Sequence, residues 1–560
     1  MANEYDFLIV GGGTAGCLLA SRIASAASKP SVAILETGEN NNAVSLRRTY
    51  DRFLLAFTQP TMEYGYMSTP QASADDRKVQ QARGRGLGGS SQINFQLWSL
   101  GAKDEFNHWA AEVGDNNWAF DSVLEKVKKI ERLHDYSSQD WGSIVKPDPA
   151  NHGYEGDVDV SIGPYIEREI KTLFEASNEL GHETNPDINS GNPIGIGLPP
   201  STSWRGSRTT SASAFIEGKK LDNLKVFTNS RVVKVLLEGN HAIGVELENG
   251  KQLIAKKDVV LTAGAIDGPR LLLLSGIGPK AHLQSLNILL ARDLPSVGQG
   301  LTDHPAVPIT YHMKPGFSNR HVFAADSNQV TAATEQWLQD RTGPLVEHFG
   351  SIPLAFFKSE KSYQSEEFRK LPQQTRELLQ KPTVPGYELA MAAPLMPPTY
   401  EIEHNQDGYC SYFAAVQNPQ ARGEVKLKSA NPQDLPLINP NYLSHEYDVV
   451  VLIEAVRKVL DYMETPALKK YIKNAIVAPI SSSEEHIKDF LKTSVEGFWH
   501  ISGSAKMGRP NNEKTSVVGP DFKVHGYNNL RVADMSIAPI LPSGRTYLES
   551  HLDSPNLLIN

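Results

Sequence analysis

The sequence has few of the features that mark secreted or membrane-spanning proteins. It contains two cysteines, Cys17 and Cys410, which exclude a disulfide framework, and it has no C-x-x-C metal-binding pattern. No Asn-x-Ser/Thr glycosylation site occurs, and no apolar run approaches the roughly 18 residues of a membrane-spanning helix. The net charge of −9 argues against nucleic acid or an anionic membrane as a partner.

The rest of the composition is that of a globular protein. It is 40% hydrophobic and 21% charged, and its 43 glycines and 35 prolines indicate many turns. A chain of 560 residues is too long for one compact core, so we expect two or three domains. The first motif starts within about a dozen residues of Met1, which leaves no room for a signal peptide before it. We therefore expect an intracellular, cytoplasmic protein that acts on a small molecule and binds no metal, and whose oligomeric state is open.

The chain begins with a pattern typical of dinucleotide-binding proteins. The apolar run Phe7–Val10 predicts a buried parallel strand, glycines spaced G-x-G-x-x-G follow, and Cys17–Ile23 predicts a helix. Such glycines allow a tight turn, close approach of a pyrophosphate and close packing of the helix on the strand, while the helix N-terminus offers free N–H groups to the phosphates. The cofactor-binding residues predicted from this pattern are Gly11, Gly13, Thr14, Ala15 and Gly16.

An acidic residue completes this unit. A second apolar run, Ser31–Leu35, ends in Glu36, twenty residues after Gly16. A carboxylate there can accept hydrogen bonds from ribose hydroxyls and disfavours a 2′-phosphate, so the ligand is predicted to be FAD or NAD rather than NADP. Because strand, helix, second strand and acid occur in the right order, a plain glycine turn is the less favoured interpretation.

Two later segments resemble a known family. The glycine- and serine-rich loop Gly84–Asn94, which can bring backbone amides close to a flat ligand, is similar to the first signature of the glucose–methanol–choline (GMC) flavin oxidoreductases. Gly264–Gly278 resembles the second signature, with Gly268 where the family has Ser or Thr. The resemblance extends from Tyr5 to about Thr546 and includes the pair Asp303-His304.

The resemblance implies an α/β fold with a Rossmann-like FAD-binding domain of the GR2/GMC type and a discontinuous α+β substrate domain. It assigns residues 1–152, 209–304 and 498–560 to the FAD-binding domain, and residues 153–208 and 305–497 to the substrate domain, whose sheet roofs the flavin. Leu224–Thr228 and Val232–Leu237 are predicted to be paired strands. The further FAD contacts that the resemblance implies are Arg85, Gly88, Ser91, Asn94, Val232, Asp534 and Thr546.

The resemblance also implies the chemistry. Trp499–Gly508 is similar to the family stretch that contains the catalytic histidine, so His500 is predicted to be the general base. An imidazole suits this role because its pKa lies near neutrality and it can accept an alcohol proton as hydride leaves the carbon. The predicted activity is the oxidation of a CH–OH donor by hydride transfer to FAD; neither the donor nor the final electron acceptor can be read from the sequence.

The second catalytic position departs from the family. Asp534–Gly544 fits the family pattern, but Arg545 replaces His or Asn and Tyr547 replaces Gln, and the tail that follows does not resemble the family helix. An arginine stays protonated and cannot act as a base, although it can hold an alkoxide or a carboxylate or stabilise an anionic reduced flavin. The alternative is an altered tail in which Arg545 faces solvent.

Three hypotheses therefore stay open at this point. The first is an FAD-dependent alcohol oxidase or dehydrogenase with His500 and Arg545 as the catalytic pair. The second is an enzyme on the GMC scaffold with non-redox chemistry, as a lyase, dehydratase or cyclase, and the third is a flavin-binding pseudoenzyme. We expect FAD to be bound non-covalently, because relatives that attach it through histidine carry that histidine in the loop where this chain has Gln92 and its neighbours.

Overall fold

A seven-stranded sheet is built around the first strand, Glu4–Val10. The computed structural model describes residues 3–41, 43–134, 142, 144–392, 406–510 and 512–546. Both neighbours of Glu4–Val10 run parallel to it. The strands follow the order Leu224–Phe227, Val32–Leu35, Glu4–Val10, Gln252–Leu261, His241–Leu247, Val232–Glu238, with Leu530–Val532 beside Gln252–Leu261.

The first helix, Thr14–Ala24, follows the first strand as predicted, and it packs tightly on the turn before it. A Cβ at Gly16 would lie 2.0 Å from the carbonyl oxygen of Gly11, so only glycine permits this approach. The helix therefore begins directly above the end of the strand, with its N-terminal amides at the edge of the sheet.

The predicted pairing of Leu224–Thr228 with Val232–Leu237 is wrong. Leu224–Phe227 pairs in parallel with Val32–Leu35, whereas Val232–Glu238 pairs with His241–Leu247 on the opposite edge of the sheet. The prediction assumed that strands adjacent in the chain pair. The backbone groups on the outer side of Val32–Leu35 needed a partner, and Leu224–Phe227 supplies it.

A second large sheet has six antiparallel strands, and we call it the roof sheet. Its strands follow the order Leu354–Phe357, Tyr387–Met391, Gly408–Val416, Pro305–Met313, Ile472–Val477, with Glu496–Gly497 beside Pro305–Met313. Side chains alternate between its faces, so Tyr387, Leu389 and Met391 enter one core. Ala390 lies in a separate cluster on the other face, to which Glu388 also points.

The remaining elements connect and cover these sheets. The longest helix, Glu446–Glu464, packs on strand Gly408–Val416 of the roof sheet. The other α-helices are Leu55–Thr58, Lys103–Val113, Phe120–Ile130, Arg168–Glu179, Ser211–Phe215, Gly264–Leu274, Lys280–Ser285, Asn319–Ala325, Ser327–Asp340, Pro344–Glu347, Glu366–Lys370, Gln373–Gln380, Pro466–Lys469 and Glu484–Ser494. Short strands outside the two sheets are Glu131–His134, Val158–Ser161, Gly195–Gly197, Ser203–Trp204, Ser207–Arg208, Ile277–Gly278, Arg292–Asp293, Gln299–Leu301, Gly423–Lys426 and Leu437–Asn439.

The strands of the two sheets fall within the segments assigned to the two domains, although the domain boundaries themselves stay a prediction. Tyr547 and the tail that follows it lie outside the described residues. In the described part of the chain, no helix is both long enough and apolar enough to cross a membrane. The same residues contain no group of three or more His, Cys, Asp or Glu side chains that could hold a metal ion.

Candidate active site

Three connected spaces run along the edge of the first sheet toward the roof sheet. The central cavity is lined by His500 and Arg545 and by residues of the roof sheet. It joins a cleft at Thr14, Ser90 and Thr546, which line both spaces. The cleft in turn shares Gly13, Gly84 and Tyr64 with an outer end that reaches Glu36 and Val232.

Glu36 closes the outer end. Its carboxylate accepts hydrogen bonds from the backbone amides of Gly12 (2.9 Å), Gly38 (2.8 Å) and Gly86 (3.1 Å). Burial raises the pKa of Glu36, and the same amide bonds oppose this effect. The side chain is therefore fixed in place at the wall, where its remaining lone pairs can accept bonds from a ribose.

The cleft is walled by closely approaching backbone. Gly89 has φ +53°, and a Cβ there would lie 2.7 Å from the Cα of Gly13, so the glycine loop lies directly on the turn after the first strand. On the opposite side, Asp534 accepts bonds from the amides of Gly264 and Ser536, both at 2.8 Å. The start of the first helix also faces this cleft, which suits a pyrophosphate.

Most of the predicted site residues line these spaces, but three do not. The ones at the walls are Gly11, Gly13, Thr14, Ala15, Glu36, Ser91, Asn94, Val232, Asp534, Thr546, His500 and Arg545. Gly16 instead allows helix packing, and Gly88 donates its amide to the Gly12 carbonyl (2.7 Å). The charge of Arg85 partly opposes the burial that raises the pKa of Glu36. The cleft, the fixed acid and the helix N-terminus together fit an FAD molecule.

The His500 segment is held in an unusual backbone conformation. Trp499 has φ +58°, a left-handed value that side chains other than glycine rarely adopt, and its carbonyl accepts a bond from Arg83 (2.7 Å). The amide of His500 donates to Asp303 Oδ1 at 2.6 Å, and Asp303 Oδ2 accepts from Tyr442 (2.6 Å). Strain of this kind persists only where the surroundings fix it, and it places the imidazole at the cavity wall.

A second histidine contacts the first. His304 is fully buried, and its Nδ1 lies 2.9 Å from the Nδ1 of His500. Burial lowers the pKa of His304 to about 3, with the charge of Arg545 acting in the same direction and a backbone contact with Gln417 against it. Burial also lowers the pKa of His500 well below its ordinary value, helped by His304, Arg545 and Arg83. Both rings are therefore neutral at pH 7.

Arg545 is 6% exposed, so it does not face solvent. Its Nη1 donates to Oε2 of Glu388 at 2.8 Å, and its Nη2 donates to the other oxygen of the same carboxylate. Its guanidinium carbon lies 5.0 Å from the ring centre of Phe498, and its backbone amide donates to the Ser99 carbonyl (2.9 Å). The side chain is thus fixed by a bidentate ion pair at the wall of the central cavity.

Aromatic rings form much of the remaining wall. Phe95 packs edge-on against Phe53 (4.9 Å between ring centres) and against Trp499 (5.6 Å). Phe498 packs edge-on against His500 at 5.3 Å and against Phe413 at 5.9 Å. These rings make much of the wall apolar, and the polar side chains of the lining are those of Thr14, Arg83, Ser90, Ser91, Asn94, Gln96, His500, Arg545 and Thr546, together with the indole of Trp499.

Sequence reasoning missed several of these residues. His304 belongs to the Asp-His pair that was noted as part of the family pattern, so its importance could have been recognised. Glu388 had a weaker signal, a single acid in the strand-forming run Tyr387–Met391. Arg83 stands beside the glycine loop, and nothing local distinguished it from Arg85.

Comparison with known proteins decides the family. Family models described as GMC oxidoreductase match residues 5–306 and 419–550. The chain belongs to the GMC oxidoreductase family. GMC relatives include pyranose dehydrogenase 3 of Leucoagaricus meleagris, 30% identical over 565 residues (97% of this chain and 90% of that protein). Another is the oxygen-dependent choline dehydrogenase of Staphylococcus xylosus, 31% identical over 555 residues (98% and 93%).

Solved structures agree with the GMC assignment. One is a formate oxidase of Aspergillus oryzae RIB40 in which an arginine is replaced by lysine, studied for the effect of this mutation on FAD modification. It superposes with a TM-score of 0.88 at 25% identity, covering 99% of this chain and 97% of that one. The expected fold is thereby confirmed: a GMC oxidoreductase fold with a Rossmann-like FAD-binding part and a substrate part. The protein is an FAD-containing oxidoreductase of a family that acts on CH–OH donors.

Proposed function

We propose that the protein oxidises an alcohol, with His500 as the general base and FAD bound non-covalently. The observation that supports this most directly is the position of His500 at the wall of the central cavity, with its Nδ1 in contact with Nδ1 of His304; burial lowers the pKa of His500, which favours the neutral ring. A base must be unprotonated and must face the donor, and this geometry meets both conditions.

The contact between the two histidines defines how the base works. Only one proton can lie between the two Nδ1 atoms at 2.9 Å. When it belongs to His500, the lone pair on Nε2 is free to accept the hydroxyl proton of the donor, and His304 fixes the ring in that tautomer. FAD, when bound, supplies the hydride acceptor for the carbon-bound hydrogen.

The cavity wall favours an apolar or aromatic alcohol as donor. A sugar needs a polar partner for each of several hydroxyl groups, because an unpaired polar group loses its bonds to water on entering the site. The roof side of the cavity instead presents Phe53, Phe95, Phe413 and Phe498. Edge-on aromatic walls of this kind suit a flat ring or an alkyl chain beside the reacting carbon.

The two other hypotheses receive less support. The relatives reported above are named as dehydrogenases or an oxidase, which does not favour lyase, dehydratase or cyclase chemistry. A pseudoenzyme with a solvent-facing Arg545 does not fit the burial of that side chain. Redox chemistry therefore remains the proposal.

Anaerobic mixing of the flavoprotein with candidate donors tests the proposal. Benzyl alcohol should bleach the flavin band, and glucose should do so at least tenfold more slowly. His500→Ala should retain FAD but reduce it about two to four orders of magnitude more slowly, the usual loss for a general base. His525→Ala is the matched control, because His525 is also a buried imidazole but lines none of the three spaces described above. An unreduced flavin with every alcohol tried, or an unaltered rate in His500→Ala, would contradict the proposal.

A further inference from the structure

The ion pair between Arg545 and Glu388 joins parts of the chain that are 157 residues apart. Arg545 belongs to the final described segment, whose Ser543 donates from both its amide and its hydroxyl to Glu105. Glu388 belongs to strand Tyr387–Met391 of the roof sheet and has no exposed surface. Glu388, on a strand of the roof sheet, therefore contacts Arg545 at the predicted second catalytic position.

We infer that Glu388 is a positioning residue that fixes the guanidinium of Arg545 in the cavity wall and offsets its charge, so that the cavity accepts neutral donors and disfavours small carboxylates. This inference rests on the proposed function, in which the central cavity is the donor site. A carboxylate that enters beside Arg545 meets a cation whose two terminal nitrogens already bond an anion, and it lies close to that anion.

The surroundings of Glu388 support a role toward Arg545 alone. Its other hydrogen bond comes from Gln417 Nε2 at 3.0 Å, and no further cation pairs with it among the described residues. The second cation at the cavity wall, Arg83, donates to the carbonyls of Ala82 and Trp499 and lies where the cavity joins the cleft. If Glu388 were neutral, the positive charge of Arg545 would therefore be uncompensated at the roof side of the cavity.

Glu388→Gln is a near-isosteric way to remove the acid charge. The new amide oxygen can still accept from Arg545. The new NH₂ group can donate to Gln417 after that side chain turns over, since Gln417 Oε1 has no hydrogen-bond partner among the described residues. The variant therefore keeps one of the two bonds to Arg545, while the guanidinium loses its counter-charge and one acceptor, which leaves an N–H group able to bond an incoming carboxylate.

Titration of the oxidised flavoprotein with sodium benzoate, followed by the change in the flavin spectrum and by calorimetry, tests the inference. Glu388→Gln should bind benzoate at least tenfold more tightly than the parent, and the double variant Glu388→Gln/Arg545→Met should lose that gain. Glu167→Gln is the matched control: it neutralises the acid of another buried pair, with Arg320, that lies outside the cavity wall, and it should bind benzoate as the parent does.

A comparison on the parent protein decides the matter even where Glu388→Gln does not fold. The parent should bind neutral benzamide at least tenfold more tightly than benzoate. Equal or tighter binding of benzoate by the parent would overturn the inference, as would a gain in Glu388→Gln that survives the loss of Arg545. These titrations need no turnover, so they remain decisive if no alcohol reduces the flavin and the proposed function fails.

Discussion

The Nδ1 atoms of His304 and His500 lie 2.9 Å apart in a site where both rings are neutral. One ring must donate and the other must accept, so the tautomer of His500 depends on His304. The reverse arrangement would place a proton on Nε2 of His500 and block its use as a base. His304 thus governs the proposed base without reaching the donor.

We expect His304→Leu to slow flavin reduction by about ten- to a hundredfold with FAD still bound, a part of the loss expected for complete removal of a base. His304→Asn should recover most of the rate, because its side-chain oxygen can accept the Nδ1 proton of His500. Single-turnover reduction by benzyl alcohol under anaerobic conditions measures both. Equal rates in the leucine variant and the parent would show that His500 keeps its tautomer without this contact.

The pH dependence should reveal the charge of Arg545. Burial, His304 and Arg545 lower the pKa of His500 well below its usual value, so the parent should reduce its flavin at a constant rate from about pH 6.5 upward, the unperturbed histidine value. Removing the positive charge should raise that pKa, so the rate should begin to fall at a higher pH. The comparison to measure is Arg545→Met/Glu388→Gln against Glu388→Gln, because both lack the acid and only the second keeps the positive charge, and the double variant leaves no unpaired acid in the core.

The control for this profile is Glu167→Gln, which disturbs a buried ion pair outside the cavity wall. In this variant, the rate of flavin reduction should begin to fall at the same pH as in the parent. If the rate falls at the same pH in Arg545→Met/Glu388→Gln and in Glu388→Gln, the guanidinium does not act on His500.

Glu36→Ala should weaken FAD retention by about 1–3 kcal/mol, roughly 5- to 150-fold in Kd, because a charged acceptor for the ribose is lost. It should also lower the melting temperature of the protein after FAD removal, since three backbone amides lose their acceptor. Glu36→Gln keeps one oxygen and should lose less on both counts. Equilibrium dialysis with FAD and thermal melts give the two quantities, and unaltered FAD affinity in Glu36→Ala would place the ribose elsewhere.

Acid or heat precipitation should release the flavin into the supernatant. Gln92, in the loop where covalently flavinylated relatives carry histidine, is buried and donates to the Leu87 carbonyl at 2.7 Å. Both cysteines are buried, and neither lines the central cavity, the cleft or its outer end. The supernatant is assayed by its absorbance spectrum. Yellow colour retained in the washed precipitate would show a covalent bond and refute non-covalent binding.

The sequence predicts those parts of the site that depend on local order. The strand, the glycine turn, the helix and Glu36 follow one another within a short stretch of chain, so spacing alone locates them. The pairing of Leu224–Phe227 was mispredicted because strand order in a parallel sheet depends on which edge needs a partner, not on adjacency in the chain.

Contacts between residues that are far apart in the chain could not be predicted from local sequence patterns. Whether Arg545 faced solvent or the cavity could not be read from its neighbours, because the answer lies in Glu388 on a strand of the roof sheet. The sequence around a single acid in an apolar strand does not indicate which residue it pairs with. Likewise, the Asp-His pair was visible, but its contact with His500 arises only when Phe498–Ser502 lies beside Thr302–His304.

The Arg545–Glu388 pair also constrains the order in which it evolved. The family pattern that the sequence resembles has histidine or asparagine where this chain has Arg545, so the two members of the pair need not have arisen at the same time. A buried carboxylate without a partner can take up a proton and become neutral, whereas a buried arginine cannot shed its charge. We therefore expect the glutamate to have preceded the arginine in the ancestry of this chain. Reconstructed ancestors that carry the arginine without the acid, and that fold, would contradict this order.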